Sequence, residues 1–163
     1  MKRLFIACTV ILSLAFFHSA ALAGPIAVVD TNSIFEKSVH GQAVINYFEK
    51  LQNDGIKQLD GLETKRKQAE EKKDEKLLQN IESEMQATAY ELQTKIQNQQ
   101  DTLFNSISEK LMQTIDTYRK NHNIDVVLQA TDTASYNPEI DITNDIMQEF
   151  NKVEFDIQKE LKK

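Results

Sequence analysis

The sequence predicts a mainly helical α+β protein. A long antiparallel helical hairpin, a coiled-coil arm, projects from a small β-rich body, and a C-terminal helix follows. Three observations predict this. From Gly41 to Asn121 there is no proline, and glycine occurs only at Gly55 and Gly61. Apolar residues recur through that stretch at helical spacing. Two short β-branched runs flank it, and pairing them would bring both ends of the helical segment together.

Residues 1–23 read as a signal peptide. Lys2 and Arg3 precede an apolar run from Leu4 to Phe17, and Ala21-Leu22-Ala23 matches the small-x-small pattern cleaved after Ala23. The run is shorter than the roughly 20 apolar residues a bilayer span needs. The only cysteine, Cys8, lies inside it. An exported chain starting at Gly24 then has no thiol and depends on packing, oligomerisation or both. The whole chain carries a formal charge of −6, and removing Lys2 and Arg3 leaves −8.

The remainder divides into a first body segment (24–40), the arm (41–121) and a second body segment with the C-terminal helix (122–163). "PIAVVD", Pro25 to Asp30, is a candidate strand. In the second half of the arm the apolar series runs Leu78, Ile81, Met85, Ala89, Leu92, Ile96, Gln99, Leu103, Ile107, Leu111, Ile115, Tyr118, about 3.6 residues per step. The first half reads Val44, Phe48, Leu51, Gly55, Leu59, Leu62, Arg66, Ala69, with defects at Gly55 and Arg66. One uninterrupted helix would be about 120 Å long, and a single stripe cannot be buried on itself. The solutions are a long parallel coiled coil or a hairpin packed stripe to stripe.

The stripe fades in "TKRKQAEEKKDEK", Thr64 to Lys76, which places the tip between Glu70 and Gln79. Asp54-Gly55 and Asp60-Gly61 are then soft spots in the first arm, because turns there would leave very unequal arms. Lys65, Arg66, Lys67, Lys72, Lys73 and Lys76 make the tip locally basic. That is a solvated helical face or a contact for anionic membrane or an acidic client.

"IDVVLQA", Ile124 to Ala130, is the second candidate strand, and "TASY", Thr133 to Tyr136, is the candidate return strand. Pro138 stops the strand. Thr143 suits an N-cap, with Asn144 and Asp145 in the first turn. The helix that follows carries an apolar face of Ile146, Met147, Phe150, Val153, Ile157 and Leu161 and ends in Lys162-Lys163. Glu139, Asp141 and Asp145 lack the central glycine and terminal glutamate of a calcium loop and read as structural. His40 and His122 flank the arm and would approach each other in a hairpin. Two ligands are too few for a metal site, so they read as capping or surface residues.

Composition excludes further classes. The acidic chain has no basic stripe for nucleic acid. It also lacks a phosphate-binding glycine loop, a dinucleotide fingerprint and a Cys/His cluster. No cofactor and no catalytic residues are assigned, because no nucleophile–base pair stands out.

Both ends of the chain resemble the Skp (OmpH) family of periplasmic chaperones. The resemblance rests on "IAVVDTNSIFEKS", Ile26 to Ser38, and "NIDVVLQATDTASYNPEIDITNDIM", Asn123 to Met147, in which Ile140-Asp141-Ile142-Thr143 is the most specific piece. It implies a homotrimer around a small β-body. Val28, Val29, Val126 and Val127 would lie in body strands, with Ile34 and Phe35 beside them. It also implies ATP-independent holding of unfolded outer-membrane proteins in a cavity between three arms. The best-known members are strongly basic, whereas this chain is acidic; its arms are also short and its C-terminal segment is long. The competing reading is a structural or adaptor coiled-coil protein of the cell envelope.

Overall fold

A computed structural model describes residues 24–162. The signal-peptide reading, Cys8 included, lies outside the described residues. Helix makes up 76% of the structure, which places it in the mainly α class. The element order is β1 (Ile26–Val29), α1 (Thr31–Lys37), α2 (Val39–Glu71), α3 (Glu75–Asn121), β2 (Val126–Gln129), two 3-10 turns (Ala130–Asp132 and Pro138–Ile140), α4 (Thr143–Phe150) and α5 (Ile157–Glu160).

α2 and α3 are the long pair, with 33 and 47 residues, or about 50 and 70 Å. They run antiparallel: Tyr47 Oη donates to Gln99 Oε1 at 2.9 Å, and Leu62 and Ala69 near the end of α2 cluster with Ile81 near the start of α3. The turn is Lys72 to Asp74. It has no glycine because Lys73 itself adopts the left-handed region at φ 54°, at roughly 1–2 kcal/mol. The Asp74 side chain then accepts from Leu77 N and caps α3. At the far end Asn123, φ 53°, closes α3 as Ile124 N donates to Arg119 O; asparagine tolerates this conformation well.

β1 and β2 form a parallel pair in the register Ile26–Val126 to Val29–Gln129. On its other edge β1 bridges to Asp141, and Ile142 N donates to Val28 O. β1 is therefore central and β2 is an edge strand. The main core joins Ala27, Val29 and Ile34 to Val44 and Phe48 of α2, Leu103 to Ile115 of α3, and Ile142, Ile146 and Phe150 around α4. Burying each large apolar side chain contributes about 1.5–3 kcal/mol.

Several expectations are corrected. Thr133–Tyr136 forms no strand; the chain instead makes the 3-10 turn Ala130–Asp132, and the Thr133 hydroxyl bonds back to Gln129 O. Thr143 is not the N-cap of α4. Ile142 holds that position, and the Thr143 hydroxyl accepts from Asp30 N at 2.8 Å, tying the starts of α1 and α4 together. The C-terminal helix is not continuous. It stops at Phe150 because Asn151 Oδ1 is drawn to Val39 N and His40 Nε2 donates to the Phe150 carbonyl. The chain then bends back so that α5 packs on α3, where Glu160 meets Ser106 and Lys110. The arm begins at Val39, capped by the buried Ser38 side chain, which accepts from Gly41 N. Gly55 is not a soft spot: it is buried, and a Cβ there would lie 2.1 Å from a Leu92 methyl. Ala89 falls off the buried stripe, and Thr88 takes its place half-buried.

Candidate functional site

Two surfaces of this molecule expose apolar side chains. The first is the outer face of the strand pair. Side chains alternate along a strand, and paired residues of a parallel ladder share a face. Ala27, Val29 and Val127 face the core. Ile26, Val126 and Leu128 face the other way and are 45%, 44% and 41% exposed. Ile26 and its ladder partner Val126, with Leu128 two residues along, place three branched aliphatic side chains together on this face.

The second surface is the arm. Its buried packing falls into two clusters, one at the base and one near the tip. Between them Leu92 packs over Gly55, and a groove of about 610 Å³ opens, lined by Leu59, Ala89, Leu92, Ile96 and a rim of Gln93, Gln97, Gln100 and Asp101. Ile56, Tyr90, Phe104 and Met112 stand exposed along the arm.

The residues singled out from the sequence are distributed as follows. Val29 and Ile34 lie in the core of the subunit itself, and Phe35 and Val127 pack half-buried against it. Val28 shares the outer face with its ladder partner Leu128 but is buried there, 1% exposed, with Asp141 bridged on its other edge. Of this set only Val126 is exposed on the outer face. At the tip Lys65, Lys67, Lys72, Lys73 and Lys76 are exposed. Arg66 is half-buried in the stripe between Leu62 and Ala69, and its guanidinium grips Glu63 through two bonds of 2.8 and 3.0 Å, with Glu70 at 3.6 Å. The hydrogen bond from Arg66 holds the Glu63 carboxyl below its usual range. Glu63 also takes Lys67 at 3.9 Å, so part of the basic tip is compensated in place.

The histidines do not form a pair. His40 is buried between the Phe150 and Phe155 rings, at 5.1 and 5.5 Å. His122 is exposed, stacks on Tyr118 and bonds its carbonyl. Among the described residues no group of three or more His, Cys, Asp or Glu is placed to hold a metal.

Asp141 is a local brace. Burial would raise its pKa, but bonds from the Thr143 hydroxyl and N–H and from the Tyr136 hydroxyl outweigh burial and hold it below the ordinary value. Asp141→Ala is expected to lower stability by about 0.5–1 kcal/mol at pH 7, small because the carboxylate is exposed. A depressed folded-state pKa stabilises only while the unfolded carboxyl, near about 3.9, is ionised. The difference should therefore shrink as pH falls below about 4, through the folded pKa. Urea melts at pH 7 and at pH 3 test this, and an undiminished difference at pH 3 would assign the loss to packing instead.

Leu128, Ile26 and the groove were missed in the sequence. The alternation of Ile26 with Val126 and Leu128 becomes readable only with the parallel register. The off-stripe apolar residues Ile56, Phe104 and Met112 were visible signals.

The comparisons agree with this geometry. A family model described as outer membrane protein (OmpH-like) matches residues 25–150. The chain belongs to this OmpH-like family. A crystal structure assigned as an OmpH-like outer membrane chaperone from Caulobacter crescentus CB15 aligns with a TM-score of 0.58 and 19% identity, covering 94% of this chain and 96% of that one. At that identity it shows a shared fold. No curated protein matches the sequence. No helix of the described residues is long and apolar enough to cross a membrane.

Proposed function

We propose that this OmpH-like chain is an ATP-independent periplasmic holding chaperone. It assembles as a homotrimer through the open sheet face, and its arms bind unfolded outer-membrane proteins and prevent their aggregation. The observation that carries the reading is the arm itself: a helix pair tens of ångströms long that exposes Ile56, Tyr90, Phe104 and Met112 instead of enclosing a pocket. Such a surface can hold a chain through many weak contacts. Membership of a family with a structural neighbour assigned as a chaperone supports the same reading. The open face of Ile26, Val126 and Leu128 supports self-association, because the same face of three identical subunits can converge on a three-fold axis and be covered there.

Light scattering of a β-barrel membrane protein diluted from urea tests holding, with and without the chain in stoichiometric excess. Strong suppression of scattering is expected, together with a solution mass of three subunits. Removing one heptad from each helix beside the Lys72–Asp74 turn should weaken protection progressively, while the mass stays trimeric. An unaltered aggregation curve would favour the adaptor reading.

A further inference from the structure

The two broad faces of the arm differ in chemistry. In an antiparallel helix pair, residues that follow the buried stripe by one position lie on the same side of both helices. The groove identifies that side, because Leu59 of α2 meets Ala89, Gln93 and Gln97 of α3 there. Ile56, Phe104 and Met112, which are 55%, 41% and 60% exposed, fall on it. So do Asp60, Glu63, Glu82 and Asp101. Arg66 and Lys67 hold Glu63, and Arg66 also acts on Glu82, so Asp60 and Asp101 are the acids that flank the groove with no basic partner among the described residues. The opposite side carries the Tyr47–Gln99 hydrogen bond and interleaves Lys50, Lys57, Lys65 and Lys95 with its acids.

The groove exists because the side chains around it are locally small. Gly55 has no side chain, Leu92 leans into the space it leaves, and Ala89, just off the stripe, is short. The result is an open apolar floor with an amide rim. Glutamine amides both donate and accept, so Gln93, Gln97 and Gln100 can meet the peptide groups of any sequence. An unfolded chain presents such groups without intramolecular partners. The surrounding acids favour cations and repel polyanions such as nucleic acid or an anionic membrane.

We propose that this acidic face, centred on the Leu59–Ile96 groove, is the client-contact surface, and that it selects unfolded segments combining apolar side chains with lysine or arginine. The proposal rests on the holding-chaperone reading and assigns it a face and a client chemistry.

Two fluorescein-labelled unstructured peptides with the same leucine and tyrosine content provide the probes, one carrying four lysines and the other four glutamates. Anisotropy with the full chain should show the lysine peptide binding at least about tenfold more tightly at 0.05 M salt. The preference should collapse near 0.5 M, where screening acts over roughly 5 Å or less. Asp60→Lys with Asp101→Lys should weaken the lysine peptide about tenfold. Lys57→Glu with Lys95→Glu, on the opposite face, should leave it within about twofold. Circular dichroism and solution mass confirm that both variants keep fold and assembly. Equal binding of the two peptides, or equal loss from both pairs of substitutions, overturns the proposal. If the chain still suppresses aggregation in that case, the holding reading stands without it. If neither peptide binds and aggregation is unchanged, both fail.

Discussion

Replacing Phe150 by alanine is expected to remove about 3–5 kcal/mol of stability. Phe150 is 0% exposed and ends α4 inside the main core. Its ring takes the edge of His40 at 5.1 Å, and its carbonyl accepts from His40 Nε2 at 3.0 Å. Val39 N, at the start of the arm, is held by Asn151, the next residue along. Truncation would therefore open a cavity where the root of the arm, α3 and α4 meet. Phe104→Ala is the matched comparison. Phe104 also belongs to an aromatic group, 5.2 Å from Phe35 and 6.4 Å from Phe48, but it is 41% exposed. Its loss should be below about 1.5 kcal/mol, because a partly exposed ring has less area to return to water. Urea melts of the two variants test the contrast, and equal losses would contradict the burial assigned here. A domain of this size has only about 5–15 kcal/mol in total, so the Phe150 variant should be near the limit of folding.

The second large effect separates the two faces of the strand pair. Val127→Asp places a charge on the face that packs against the core. An unpaired carboxylate there is costly, and the body should melt well below the parent protein. Leu128→Asp, one residue on, puts the same charge on the outer face, where Leu128 is 41% exposed. It should cost the isolated subunit less than about 1 kcal/mol. In the proposed trimer it would bring three carboxylates together, so the expected result is a monomer with unchanged helix content by circular dichroism. Light scattering coupled to size exclusion reads the mass. A Leu128→Asp variant that keeps the parent's mass would move the interface elsewhere.

The sequence made the arm legible because helical periodicity is local information. Residues from Leu78 to Ile115 carry their spacing whatever they pack against. It did not reveal the fates of Gly55 and Ala89. Each depends on which residue of the other helix stands opposite, and that is set by the register of the hairpin. Arg66 looked like a defect in the stripe, yet the structure accommodates it by pairing its head with Glu63 and Glu70 while it remains half-buried. The tip carried no glycine signal because a lysine takes the left-handed position.

The second body segment shows the same division more sharply. The Val126–Gln129 strand and a helix after Pro138 were readable from β-branching and from a proline stop. Their details were not. Thr143 has the chemistry of a cap, and that chemistry is used, but on Asp30 N across the fold instead of on its own helix. The break after Phe150 has no proline or glycine to announce it, because its cause is Asn151 reaching Val39, 112 residues away in sequence.

The sequence by itself determined the two long helices, their meeting near Lys72, the two flanking strands and the acidic balance. Each of these follows from spacing, propensity or charge within a short window. Only the tertiary structure decided which side of each element is covered. It set the parallel register that leaves Ile26, Val126 and Leu128 open, the groove beside Gly55, and the placement of Asp60 and Asp101 on the face that carries Ile56 and Met112. The physical reason is that exposure belongs to a pair of surfaces, and the second surface comes from residues tens of positions away.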